Sequence, residues 1–210
     1  MVEIKLDNVE KLLKPLSSNR IMCVAIKMFW PKWKEKGKYI TAFVFGVIPA
    51  YMMATSENTV TIFREGVQLM NDIALALFGI VFTGYALFQA LIGKEMLVRM
   101  INSTALIDKE QKSKLQESNE LFAKTMMMQF LCIVVSVLLL LVLSSIPENY
   151  NLFEDIFLNE IIAWCGICVF FYISFVTLLE VKSFIFNIFE LFNFHAATRV
   201  LELFKEDNQE

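Results

Sequence analysis

Polar and apolar positions alternate along this chain in long blocks. Four of the blocks contain no Asp, Glu, Lys or Arg: Tyr39–Ser56, Ile73–Gly93, Thr125–Pro147 and Ile161–Leu179. They are 18, 21, 23 and 19 residues long, close to the roughly twenty residues with which an α-helix crosses a ~30 Å hydrocarbon layer. The pattern predicts four transmembrane helices. Ahead of them, Ile4, Leu6, Val9, Leu12 and Leu13 share one face of a short amphipathic helix that Pro15 ends. After the second block, Leu97, Val98 and Ile101 continue its apolar spacing, so the second helix is expected to project beyond the hydrocarbon. Asp108 with Gln111 has the form of an N-terminal cap and predicts a helix from Lys109 to Lys124 that feeds the third span. Beyond the fourth block, Val181–Phe204 stays rich in Phe and Ile, with no Gly or Pro after Gly166, which predicts one long helix or two in series.

The expected fold is an all-α membrane protein. It comprises an N-terminal segment 1–38, a four-helix transmembrane domain 39–179 that includes a helical hairpin 94–124, and a C-terminal helix 180–210. Of the two connections on the other side, Val60–Met70 is expected to form a short helix, and Tyr150, Phe153 and Phe157 to lie at the membrane surface. The third span, dominated by Leu, Val and Met, reads as the most lipid-facing of the four.

Charge position orients the chain. Nine Lys and Arg lie in residues 1–38, one (Arg64) between the first two spans, six between the second and third, none between the third and fourth, and three after Leu179. Positive residues near span ends are retained in the cytoplasm, so both termini and the hairpin are expected there, with the spans in an inner membrane. The opposite connections carry Glu57, Glu65, Asp72, Glu148, Glu154, Asp155 and Glu160. Dispersed Lys5, Lys11, Lys14 and Lys27 do not fit a cleavable signal peptide.

Composition agrees with a lipid solvent: 57% of residues are hydrophobic and twenty are Phe, more than a 210-residue soluble globule can bury. The net charge of −3 gives no sign of direct nucleic-acid binding. Trp164-Cys165-Gly166-Ile167-Cys168 has the spacing of a redox motif, but neither external connection holds a second pair of cysteines, so the thiols read as inert packing groups. His195 near Glu190 and Glu202 offers too few ligands for a metal. With no phosphate-binding, nucleophile or zinc motif, a non-enzymatic protein without cofactor is expected.

Three sets of residues stand out. Ala76, Gly79, Thr83, Ala86, Ala90 and Gly93 recur at steps of three and four on one face of the second span. Small residues on one stripe let helix backbones approach in lipid. The stripe fits a seam against the first span, an interface between copies, or a pore lining. Trp30, Lys32, Trp33, Lys34, Lys36 and Lys38 mix aromatics and cations as a membrane-surface anchor does. Lys109, Lys112 and Lys114 on the hairpin, with Phe189 and Phe192 on the last helix, form a candidate docking surface, because apolar side chains outside the hydrocarbon need a cover.

With WPKWKEKGK, the hairpin Lys94–Lys124 and the helix Val181–Phe204 around four spans, the layout resembles the membrane subunit of Kiwa, a two-component bacterial anti-phage defence system. The resemblance covers the whole chain but rests on layout and carries no short motif. It implies a homo-oligomer, a tetramer, that anchors and senses at the membrane and recruits a soluble DNA-binding subunit to the cytoplasmic face. The competing class is an oligomeric channel or pore-forming effector. A membrane disulfide oxidoreductase is the third.

Overall fold

In the computed structural model, residues 6–13, 17–31, 33–103, 113–148, 150 and 153–207 are described, and every element among them is helical. The order is α1 (Leu6–Leu13), α2 (Ser18–Lys27), a 3₁₀ turn (Trp33–Glu35), α3 (Lys36–Ala54), α4 (Thr59–Leu91), α5 (Lys94–Asn102), α6 (Lys114–Ser145) and α7 (Ile156–Asp207). Four of these, α3, α4, α6 and α7, are long and apolar enough to cross a membrane. We call the end of the bundle that holds α1, α2 and α5 basal, and the opposite end apical.

The chain crosses the bundle four times. Helices α3 and α6 run from base to apex, and α4 and α7 return. The apical α3–α4 connection is only Thr55–Asn58, tied by Thr59 Oγ1 donating to Ser56 O at 2.7 Å. The short helix expected over Val60–Met70 is instead the first turns of α4: no Pro stands between Thr59 and the apolar block, and Gly66 is carried within the helix without breaking it. At the basal end the second span does not run on as expected. It stops at Leu91, and Ile92 and Gly93 are extended (ψ 99° and 163°), so α5 leaves in a new direction and lies against the base of α6.

The cap that starts α6 is Ser113, whose Oγ accepts from Gln116 N at 3.2 Å. The cap expected at Asp108 falls in 104–112, outside the described residues. Before α7, Asn159 closes the turn: its amide nitrogen donates to Phe153 O at 2.7 Å and its carbonyl oxygen accepts from Phe153 N at 2.9 Å. Asp155 caps the helix by accepting from Phe157 N. Helix α7 is continuous over 52 residues, so the single long helix is the form taken.

Helix pairing is uneven: α3 packs mainly on α7, and α4 mainly on α6. Three apolar clusters hold these pairs. At the apex, Phe63 meets Phe170 edge to face, 5.7 Å between centroids. Toward the base, Phe122 is the hub, with Tyr85, Phe88 and Phe184 at 5.0, 5.2 and 4.9 Å. Aromatic pairs at these spacings add about 0.5–1.5 kcal/mol each beyond area burial. Ala25 of α2 and Met28, which caps its end, pack with Tyr39 and Ala42 of α3, Met128 of α6 and Val176 of α7.

Outward-facing Ile40, Phe43, Ile48, Phe82, Leu138, Leu141 and Val169 stay more than half exposed, as expected of helices whose solvent is lipid. The expectation for the third span is corrected. Over its apolar window 28% of α6 is buried, against 17% for α4, so α4 is the more exposed of the two. The physical reason is a polar stripe on α6 that has to be turned inward.

Candidate functional site

That stripe is Thr125, Gln129, Cys132 and Ser136, at steps of four, three and four along α6, all 2% exposed or less. It faces Ser174 and Thr177 of α7, with Cys132 Sγ 4.0 Å from Ser174 Oγ. Several of these hydroxyls return to their own helix: Ser136 donates to Cys132 O, Ser174 to Phe170 O and Thr177 to Ile173 O. Gln129 is different, because neither atom of its buried amide has a partner, and the Thr125 hydroxyl also lacks one. Polar side chains in lipid-facing helices are turned toward other helices, where they act as glue. Sequence reasoning missed this seam, although the periodic placement of four polar residues in an otherwise Leu/Val/Met block was its signal.

At the basal end of the α3–α7 seam lies a half-buried ion pair. Lys38 Nζ contacts a Glu180 carboxylate oxygen and sits 2.8 Å from Glu35 Oε2; the Lys38 and Glu180 side chains are 14% and 11% exposed. Lys38 was expected among the surface anchors, and the structure turns it inward, because Glu180 on the facing helix presents a carboxylate that a lone position in lipid would not tolerate. Trp30 and Trp33 do stand outward, 71% and 83% exposed, and Lys36 Nζ lies 3.4 Å from the Trp33 ring centroid. Lys32 and the Lys34 side chain lie outside the described residues.

The small-residue stripe also has a definite place. Ala76, Gly79, Thr83, Ala86, Ala90 and Gly93 are all exposed, and a Cβ built on Gly79 or Gly93 would meet nothing within 4 Å. A seam against α3 is therefore not what the stripe forms; the close approach of α3 is to α7, at Gly46. The glycines of α4 that meet neighbours lie off the stripe: a Cβ on Gly84 would come within 2.7 Å of Ile188 Cδ1, and one on Gly66 within 3.1 Å of Met53 Cε. Ala76, Gly79 and Thr83 instead form one wall of an open groove of about 490 Å³, whose other wall is Ile185, Ile188, Phe189 and Phe192 of α7. Two sets of residues singled out separately in the sequence thus share one apolar groove.

Lys114 lies elsewhere. It lines a larger basal cavity of about 890 Å³, between Arg99, Met100 and Ser103 at the end of α5, Glu117, Ser118 and Lys124 of α6, and Phe186, Asn187 and Glu190 of α7. Its floor is apolar, with Phe122 and Phe184, and its rim carries both signs of charge. Lys109 and Lys112 belong to the undescribed 104–112. The α5–α6 base is fixed by Lys114 N donating to Ser103 O at 3.0 Å, and α1 docks on it through Asn8 Nδ2 donating to Ile101 O at 2.7 Å.

All four cysteines are free, and only Cys132 is buried. The packing role expected of Cys165 is corrected: it stands exposed on α7, one helical turn from half-buried Cys168. No group of three potential metal ligands occurs among the described residues.

These features define a class: a helical bundle with four helices long and apolar enough to cross a membrane, extended at its base by a helical platform and a grooved helix. Compared with family models, curated proteins and solved structures, the chain gives no match.

Proposed function

We propose that this chain is a non-enzymatic inner-membrane anchor and sensor of an anti-phage defence complex. In this reading the basal end is cytoplasmic, copies of the chain assemble in the membrane, and the basal platform recruits a soluble DNA-binding partner. The observation that carries it is the basal cavity of about 890 Å³ with its apolar floor and mixed-charge rim. Such a surface suits a protein partner, since complementary charges set register while buried apolar groups supply adhesion. The concentration of Lys and Arg in residues 1–38 and 94–124 supports the cytoplasmic assignment. The resemblance in layout to the Kiwa membrane subunit supports the identity of the partner.

The test is co-purification. The tagged chain, expressed with its neighbouring genes and extracted in mild detergent, is expected to retain a soluble DNA-binding protein at fixed stoichiometry. Reversing Lys109, Lys112 and Lys114 to Glu should lower retention about tenfold or more, as loss of several interfacial charge contacts does. A chain that purifies without a partner, or a complex indifferent to the reversal, overturns the reading.

A further inference from the structure

The anchor segment does more than lie on the surface. Two tyrosine hydroxyls, one buried and one half-buried, clip its approach to the bundle: Tyr39 Oη donates to Met28 O at 3.0 Å, and Tyr172 Oη donates to Phe29 O at 2.9 Å. These bonds tie the end of α2 to both α3 and α7, and so fix where Trp30 and Trp33 stand. Between the tryptophans and the two helices lies a groove of about 740 Å³. Its walls are Ile40 and Phe43 of α3 and Val169 and Tyr172 of α7, and its basal mouth holds Trp33 and Lys36.

The groove has a polarity. Ile40, Phe43 and Val169 are 61%, 54% and 59% exposed along it and offer no charge. From Lys36 to Phe43 it follows α3 for seven residues, about 10 Å of helix rise, or some two-thirds of the hydrocarbon depth of one leaflet. At the mouth the charged lining residue is Lys36. Lys36 is held over the Trp33 ring, an ammonium that keeps N–H donors free to face outward. Lys32 and Lys34 precede it in the sequence. An apolar channel at hydrocarbon depth ending in a fixed cation at headgroup depth has the complementarity of one kind of molecule.

We propose that this groove between α3 and α7 is a binding site for an anionic phospholipid, with an acyl chain along Ile40, Phe43 and Val169 and the headgroup phosphate at Lys36. The tyrosine clips make it a preformed site, in which the occupant loses freedom but the protein does not. The proposal is independent of the partner reading above.

Native mass spectrometry of the full chain extracted from nanodiscs decides it, with phosphatidylglycerol and phosphatidylcholine of identical acyl chains as probes. One phosphatidylglycerol per chain should be retained, at a preference of about fivefold over phosphatidylcholine, the increment expected from one cation at an anionic surface. Lys36→Glu should abolish the preference, while Lys94→Glu, a basal charge remote from the groove, leaves it intact. Val169→Trp, an outward-facing position, should reduce retention of both lipids by filling the groove; if that variant fails to accumulate, Ile40→Trp tests the same wall. Equal retention of the two lipids by the unaltered chain sinks the proposal. So does equal loss in Lys36→Glu and Lys94→Glu, which would mean diffuse surface charge, or unchanged retention in the groove-filling variant.

Discussion

Helices α3 and α4 each carry a file of small residues, and the bundle treats them in opposite ways. On α3, Ala42, Gly46, Ala50 and Ala54 are buried against α7, and a Cβ at Gly46 would stand 3.2 Å from the backbone nitrogen of Tyr172. On α4, the file from Ala76 to Gly93 is exposed throughout, with Ala76, Gly79 and Thr83 along one wall of the open groove beside α7. Both files are made almost wholly of Ala and Gly at helical spacing, so smallness alone marks where a backbone can be approached and not which partner approaches it. What separates them is the neighbour. The α3 file meets a helix locked beside it by the Lys38–Glu180 pair and the tyrosine clips, whereas the α4 file lies beyond the edge of the α4–α6 and α4–α7 contacts.

The sharpest way to break this contrast is to enlarge one glycine in each file. Gly46→Leu should destabilise the chain by about 3 kcal/mol or more, because its neighbour is backbone and cannot swing aside. Gly79→Leu should fall within about 0.5 kcal/mol, as open surface positions do. Denaturant titration of helicity in detergent compares them, and equal effects would erase the distinction. A second route into the α3–α7 seam is its ion pair. Lys38→Met or Glu180→Leu alone should cost about 2 kcal/mol by stranding a partly buried charge, and the double variant less than the two singles together. Additive losses in that cycle would mean the two groups stand independently.

The smallest effect on stability, with the largest on assembly, is expected from Gly79→Leu combined with Ala86→Leu. If the outward file is where copies meet, light scattering in mild detergent should show the oligomer falling toward the 24.3 kDa chain. An unaltered oligomer would leave the file facing lipid.

The four spans were legible because charge is nearly forbidden in hydrocarbon, so windows free of Asp, Glu, Lys and Arg map directly onto helices. The continuous α7 was legible for a related reason, the lack of any Gly or Pro after Gly166. The break at Ile92–Gly93 was not, since apolar spacing runs straight through it and only the docking of α5 on α6 makes the bend worthwhile. The Lys38–Glu180 contact joins positions 142 residues apart, and nothing local to either residue announces the other. The seam from Thr125 to Ser136 was within reach, but reading the third span by its bulk composition hid the face on which its few polar residues gather. At the candidate docking surface, composition picked out Lys114, Phe189 and Phe192, while only the three-dimensional structure separates them into two grooves.

Helix α7 carries a mechanical consequence. Fifty-two residues without a hinge make a rod of about 78 Å. Such a rod turns angle into distance: a tilt of about 5° about its midpoint moves each end by roughly 3 Å, in opposite senses. The apical turn tied by Asn159 and the groove walled by Ile185 and Phe189 are therefore two points on one lever with unequal arms: the groove lies within about 11 Å of the midpoint, so a lean of about 3 Å at the turn becomes a stroke of about 1 Å or less at the groove, in the opposite sense.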